Sequence, residues 1–443
     1  MAKKEKLEAL VPPEEQPYPV PENWRWVRFA GVSESICDGV HFAPEYVETG
    51  IPCYSAKDVY DDAIHDDKCY YICQKDYDDM KNKINVKQGS VLVTKSGSIG
   101  RSAVVDKYYE FGLVESIGVV NLRIGQPGYL KRWLDLGFVY SNNLLERHTT
   151  GTTIKHLTLR LISDIAIPFP PLQEQKRILS CIESLFAKLD EAKEKAQAVV
   201  DGFEDRKAAI LHKAFAGELT EKWRNERGID INSWCKLKIS EFAKVRGGKR
   251  LPKGESLQKE KTNHPYIRIA DLDDDTVDLS DIHYISEEVF SKINRYIIEQ
   301  QDVYISIVGT IGKCGTIPAC LDGANLTENA ARITSEITLP RYLALYLNSP
   351  LCQEEINGRI RSATLGKLSL YNINEIVVPI PVIDEQQEII DYLEKLLQNE
   401  KLVKESAENL IEQIDDMKKS ILAKAFRGEL GTNDPAEPPV DIM

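Results

Sequence analysis

Apolar residues recur at alternating steps of four and three through Ile178, Ile182, Leu185, Leu189, Ala192, Ala196, Val199, Phe203 and Ile210, with Arg206 as the polar intruder. A second run passes through Ile389, Leu393, Leu396, Val403, Ala407, Leu410, Ile414, Met417 and Ile421, interrupted by Glu400. This period predicts two amphipathic helices, each with one seam, and the shared period and length favour their pairing with each other. The residues expected to carry the pairing are Ile182, Leu185, Leu189 and Phe203 on one helix and Leu393, Leu396, Leu410 and Ile414 on the other. Prolines stand just ahead of each helix, at Pro170-Pro171 and Pro381, and Gly217 and Gly428 follow as C-caps. About 45 residues at 1.5 Å per residue give rods of roughly 65 Å.

Elsewhere the pattern changes to short apolar runs. Gly89 to Thr94 and Asp302 to Ile307 read as strands entering Gly-x-Ile-Gly turns, and Glu287 to Asn294 and Arg341 to Asn348 read as helices, so the globular parts are α+β. The two halves are copies. Residues 207–220 (KAAILHKAFAGELT) match 418–431 (KKSILAKAFRGELG) at 9 of 14 positions, at a shift of 211. Pro168-Phe169-Pro170 matches Pro379-Ile380-Pro381, Glu174-Gln175 matches Glu385-Gln386, Gly97 to Gly100 matches Gly309 to Gly312, and Trp24 matches Trp234. One ancestral unit is doubled. The divisions predicted are an N-terminal segment 1–21, a globular part 22–171, a long helix 172–219, a linker 220–232, a second globular part 233–382, a second long helix 383–430 and a tail 431–443.

Composition alters this picture little. The 443 residues are 42% hydrophobic and 28% charged, without a run of 18 uncharged apolar residues, so no membrane partner is expected. The polar N-terminus lacks an apolar signal-peptide core, which predicts a cytoplasmic protein. Nine cysteines without any C-x-x-C pair are expected to be reduced and mostly buried. The net charge of −13 argues at first sight against a nucleic-acid partner. Its distribution removes the objection: residues 22–171 carry 17 Lys+Arg against 19 Asp+Glu, residues 233–382 carry 18 against 19, and residues 383–443 carry 7 against 15. The acidity is concentrated in the last helix and tail, and near-neutral modules can still present a basic face.

Motifs of catalysis fail on inspection. Gly309-Thr310-Ile311-Gly312-Lys313-Cys314 has two residues between its glycines where a phosphate loop needs four, and Cys where it needs Ser or Thr. The seven histidines form no metal-ligand spacing, no Gly-x-Ser-x-Gly elbow occurs, and no Pro-Pro pair has the context of an adenine methyltransferase. No catalytic residue, metal or cofactor is therefore assigned to this chain. The suggestive segment is the loop from Lys244 to Gly254, in which Arg246, Lys249, Arg250 and Lys253 stand among glycines and offer phosphate contacts or bidentate bonds to guanine. Its counterpart, Ser33 to Tyr46, is not basic, so two DNA-binding copies would read through different side chains. Further candidates for contact are Lys95, Ser98 and Arg101, with Lys313 at the place of Arg101, and His41. Two polar loops, Thr149 to Thr153 and Arg361 to Thr364, fall in matching places and could touch phosphates.

With these residues assembled, the chain resembles the specificity subunit of Type I restriction-modification systems over nearly its whole length. The likeness is carried by Asp38 to Phe42 with Gly50-Ile51-Pro52, by Thr94 to Arg101, by Pro168 to Gln175 and Pro379 to Gln386, and by the helix endings Lys213 to Leu219 and Lys424 to Leu430. The resemblance implies two target-recognition domains joined by two helices that pair as an antiparallel coiled coil, a pseudo-twofold particle without catalysis of its own. It further implies double-stranded DNA as ligand, read as an asymmetric bipartite target. The implied partners are two adenine-N6 methyltransferase subunits, which carry the S-adenosylmethionine, and two ATP-dependent motor-nuclease subunits. The competing expectation is a coiled-coil scaffold whose domains bind protein rather than DNA.

Overall fold

The computed structural model describes residues 9–106, 110–140, 156–361 and 367–442. The chain forms two compact units, Met1–Gln197 together with Glu408–Met443, and Ala198–Ala407.

In the first unit, strands Ser33–Asp38, Ile117–Leu122, Val91–Thr94 and Ser102–Val104 make an antiparallel sheet in that spatial order. Val91, Val93 and Val120 point into one core with Val27 and Ile162, while Leu92, Ile117 and Val119 point into another with Tyr54 and Leu113. A sheet covered on both faces explains why Val91-Leu92-Val93 is continuously apolar rather than alternating. A second sheet orders Gly112–Leu113, Ile51–Tyr54, Tyr70–Ile72 and Tyr46–Val47. The antiparallel partner of Arg25–Arg28 is Ala166–Phe169, which leads into the first long helix.

The second unit repeats the first sheet strand for strand, as Ala243–Gly247, Ala330–Ser335, Asp302–Ser306 and Cys314–Thr316. Its other sheet keeps three strands, Ala324–Leu326, Pro265–Ile267 and His283–Tyr284, and adds Ile297–Ile298 beside Ala324–Leu326. In the first unit the fourth strand is on the opposite edge, beside Tyr70–Ile72. The copies thus share a framework and differ at the sheet edges.

The first long helix runs Leu172–Asp201 and continues as Phe203–Phe215. The expected single helix is divided at Gly202, where a residue of low helix propensity relaxes the dihedrals although Gly202 N–H still bonds to Ala198 and Arg206 N–H to Gly202. The second runs unbroken over Ile383–Ala425. Both end as expected. Gly217 and Gly428 have positive φ, and Glu218 N–H to Lys213 with Gly217 N–H to Ala214 is repeated by Glu429 to Lys424 with Gly428 to Ala425, a Schellman ending.

The pairing is antiparallel in each unit. Lys193 bonds Asp415 at 2.8 Å and Lys418 bonds Asp190, so rising numbers on one helix meet falling numbers on the other. In the second unit Arg206 Nε donates to Glu400 Oε2 at 2.6 Å and Lys404 lies over the Phe203 ring. The two polar intruders of the heptad pattern are therefore each other's partner.

Three expectations need correction. Val403, Leu410 and Met417 are exposed, whereas Ile389, Leu393, Ala407, Ile414 and Leu422 are buried. Leu185, Leu189, Phe203 and Leu396 are half-buried, and Phe186, outside the expected register, is buried beneath Arg132 and Lys418 together with the expected Ile182. The Arg206–Glu400 pair occupies seam positions, and a helix of 3.6 residues per turn drifts from a strict heptad, so Leu410 leaves the seam. The nine cysteines are all free, but only Cys53, Cys314 and Cys352 are buried, and Cys235 and Cys320 are exposed.

Each helix ending completes a globular core. Phe426 packs against Tyr129 and Trp133 at 4.9 Å between ring centroids, and Phe215 packs against Tyr342 and Tyr346 at 5.6 and 5.1 Å. The Glu-Gln pair at each helix start anchors the segment beyond the other helix's terminal glycine. Buried Glu385 accepts hydrogen bonds from Thr220, Arg224 and Trp234, and buried Glu174 accepts from Thr432 and Arg177. Gln175 and Gln386 cap the backbone N–H groups of Gln126 and Leu339.

Removing the Glu385 carboxylate strands the buried Arg224 guanidinium, so Glu385→Ala should cost about 3–5 kcal/mol in denaturant unfolding. Ile414, 1% exposed, and Leu410, 40% exposed, separate the observed seam from the heptad register. Ile414→Asp should lower stability by several kcal/mol, whereas Leu410→Asp should leave the melting temperature of the isolated chain nearly unchanged. The opposite ranking in thermal unfolding would restore the heptad register.

Candidate nucleic-acid interface

The basic loop leaves an edge strand. In Ala243–Gly247, Lys244 and Arg246 alternate with less exposed neighbours and so share the solvent face. The chain then turns on Gly248, whose N–H bonds to Ala330, while Lys249 N–H bonds to Leu326. A Cβ on Gly248 would meet the Thr327 carbonyl oxygen at 2.1 Å. This glycine is required by the protein's own strand rather than by an approaching ligand. The first copy repeats the turn: Gly39 N–H bonds to Ile117, Val40 N–H bonds to Leu113, and a Cβ on Gly39 would meet the Val114 oxygen at 2.2 Å. Cys37, Val40 and His41 therefore occupy the places of Arg246, Lys249 and Arg250.

On this common frame the side chains differ. Arg246 and Lys253 are exposed, and Lys249 lies over the Tyr296 ring at 5.4 Å. Arg250 donates from Nε to Glu328 Oε1 at 2.6 Å and its side chain stays 78% exposed. Burial pushes the Glu328 carboxyl up, but the Arg250 hydrogen bond and charge outweigh it and hold it below the usual range, so the pair is ionised at neutral pH. In the first copy His41 Nδ1 is 2.7 Å from Glu115 Oε2, and its Nε2 is 3.3 Å from Asp38, which also binds Lys95.

The other candidates are distributed differently. Lys95 is mostly covered by its bond to Asp38, and Ser98 is exposed with its carbonyl accepting from Thr94. Arg101 lines a cleft of about 520 Å³ whose other wall is the helix residues Asp190, Lys193, Asp415 and Lys418. Lys313, bonded to Asp273 at 3.0 Å, lines the matching cleft of about 350 Å³ with Lys207 and Leu211. The Gly-x-Ile-Gly turns are thus structural: Gly100 and Gly312 have positive φ and pack against Phe138 and Gln353. Arg246, Lys249, Arg250 and Lys253 share one loop, while Arg101 and Lys313 face the helices. Thr149 to Thr153, Ser362 to Thr364 and the Arg361 side chain lie outside the described residues.

Several exposed groups escaped the sequence reading. The rings of Tyr46 and Tyr70 meet at a tilt of 33° with centroids 4.5 Å apart and Lys57 above Tyr70, a cluster created by the extra edge strand of the first copy. Glu115 and Glu328 had a signal, since they stand 213 residues apart in Leu113-Val114-Glu115 and Leu326-Thr327-Glu328. Among the described residues no helix is long and apolar enough to cross a membrane.

A repeated framework carrying unlike exposed loops, set on paired helices, defines a two-module recognition scaffold. A profile of the Type I restriction modification DNA specificity domain matches residues 21–200 and again 232–413, and the chain belongs to that family. Its relatives include the Type I restriction enzyme EcoBI specificity subunit of Escherichia coli, 27% identical over 72% of this chain and 70% of the relative. The EcoKI specificity subunit of Escherichia coli strain K12 is 29% identical over 67% of this chain and 64% of its own length. Among solved structures, a chain from a study of complex assembly and conformational transition of the type I R-M system superposes with a TM-score of 0.69 at 19% identity. The HsdS subunit from Thermoanaerobacter tengcongensis gives 0.63 at 19%. Both comparisons cover 94% of this chain and all of the other.

If the exposed ammonium groups contact phosphates, Lys249→Ala and Lys253→Ala should each lower the slope of log affinity against log salt by about one, and weaken all DNA sequences alike. Filter-binding across a salt series checks this, and an unchanged slope would remove these lysines from the interface.

Proposed function

We propose that this chain is the DNA-recognition subunit of a Type I restriction-modification complex and reads an asymmetric bipartite target in duplex DNA. The observation that carries this reading is the turn built identically on Gly39 and Gly248 but armed with Cys37 and His41 in one copy and Arg246 and Arg250 in the other. A common frame holds each loop in the same way, while the chemistry that would meet bases differs, so the two half-sites differ in sequence. The doubled framework, each copy with its own antiparallel helix pairing, suits two adenine-N6 methyltransferase subunits, with S-adenosylmethionine bound by them, and two ATP-dependent motor-nuclease subunits. Catalysis belongs to those partners. Family membership favours this reading over a scaffold that binds protein alone.

Mapping methylated adenines in a host that carries only this subunit and its methyltransferase should reveal two unlike half-sites separated by an unread spacer. A single continuous site, or no modification, would overturn the reading. Native mass measurement should show two methyltransferases per chain, and calorimetry of the isolated chain should detect no micromolar binding of S-adenosylmethionine.

A further inference from the structure

The base–acid couples His41–Glu115 and Arg250–Glu328 occupy matching places in the two copies. Each basic residue follows the fixed Gly-x turn by one position, and each glutamate stands two residues after the strand residue, Leu113 or Leu326, that accepts the turn's N–H. The turn is therefore held by backbone hydrogen bonds on both sides, and the couple follows directly on it.

The two couples expose opposite chemistry. Glu328 takes the Nε–H of Arg250, and no hydrogen bond or ion pair among the described residues uses the two terminal amino groups of the guanidinium. Arg250 is 78% exposed against 29% for Glu328, so the donor fork is outermost. A guanidinium anchored through Nε has lost much of its rotational freedom before it meets a ligand, and its two remaining amino groups match the O6 and N7 acceptors of guanine. In the first copy both ring nitrogens of His41 face carboxylates, and Glu115 is 62% exposed. There the group left to offer is an acceptor, suited to the exocyclic amino group of cytosine or adenine.

Resting on the reading that these loops meet the bases of duplex DNA, we propose that each couple determines specificity at one position of its half-site. In the second copy Arg250 selects guanine, with Glu328 as the residue that positions it; in the first, Glu115 selects a base bearing an amino group, with His41 positioning it. The Glu328 carboxyl, held below its usual range against the cost of burial by Arg250, keeps the couple charged through the neutral range.

The experiment is adenine-methylation mapping with the complete complex of this chain and its methyltransferase, scored base by base for each half-site. Arg250→Ala should lose about 5- to 150-fold discrimination at one guanine of one half-site and leave the other half-site intact. Arg250→Lys keeps the charge without the fork, so it should lose the same discrimination while its salt slope stays that of the unsubstituted chain. Glu328→Ala should blur that same position and Glu328→Gln, which can still accept from Nε, should restore much of it. Glu115→Ala should relax one position of the opposite half-site. A merely structural couple would instead lower the melting temperature and weaken all sites evenly. If the unsubstituted complex marks a bipartite target and Arg250→Lys reads every position as well as it does, this inference fails while the proposed function stands. If no bipartite target is marked at all, both fail.

Discussion

Neither copy can close its own core. The globular part that begins at Trp24 is completed by Phe426, delivered by the helix that follows the other copy, and the second is completed by Phe215 from the helix that follows the first. The Schellman endings stop each helix with its phenylalanine in place, and the buried glutamates at the opposite helix starts hold the segments beyond the glycine. Lose this exchange and each core presents an open aromatic pocket, a defect of several kcal/mol by the usual cost of removing a buried phenylalanine.

That mutual completion separates the jobs of framework and surface. The sheet residues Val91 and Val93, or Val303 and Ile305, serve packing on one side and Leu92 or Tyr304 on the other, which leaves them little freedom to change. Just beyond the Gly39 and Gly248 turns the copies have diverged from Val40-His41, where Val40 is buried beside Ile72 and Met80, to Lys249-Arg250, both exposed. The extra edge strands diverge in the same way, bringing Tyr46 to Tyr70 in one copy and Tyr296 beneath Lys249 in the other.

Much of the fold was legible because duplication prints the same framework twice: the strands at Val91 and Asp302, the helix at Pro340–Leu347 and the glycine stops all fall where pattern and repeat placed them. The helix seam was only partly legible. Periodicity ranks Val403, Leu410 and Met417 as seam residues because they are apolar, and it cannot foresee that Arg206 and Glu400 satisfy each other inside the interface. The loop surface was legible as charge and no further. Nothing in the string Lys249-Arg250 says that Glu328 holds one nitrogen of the guanidinium and leaves two, since that depends on a turn between two strands, 78 residues away.

The exchange also orders events in time. The second unit, Ala198–Ala407, is one continuous stretch of chain, whereas the first needs Glu408–Met443, including the partners that Asn433 and Glu437 give to Asn23 and Arg177. A ribosome releases residues from the N-terminus onward, so the half made first waits longest for its last core residue, and the half made second can settle before it. Until the final helix emerges, the Tyr129–Trp133 pocket stands uncovered on a nascent chain, and truncation near the C-terminus damages the domain farthest from it in sequence.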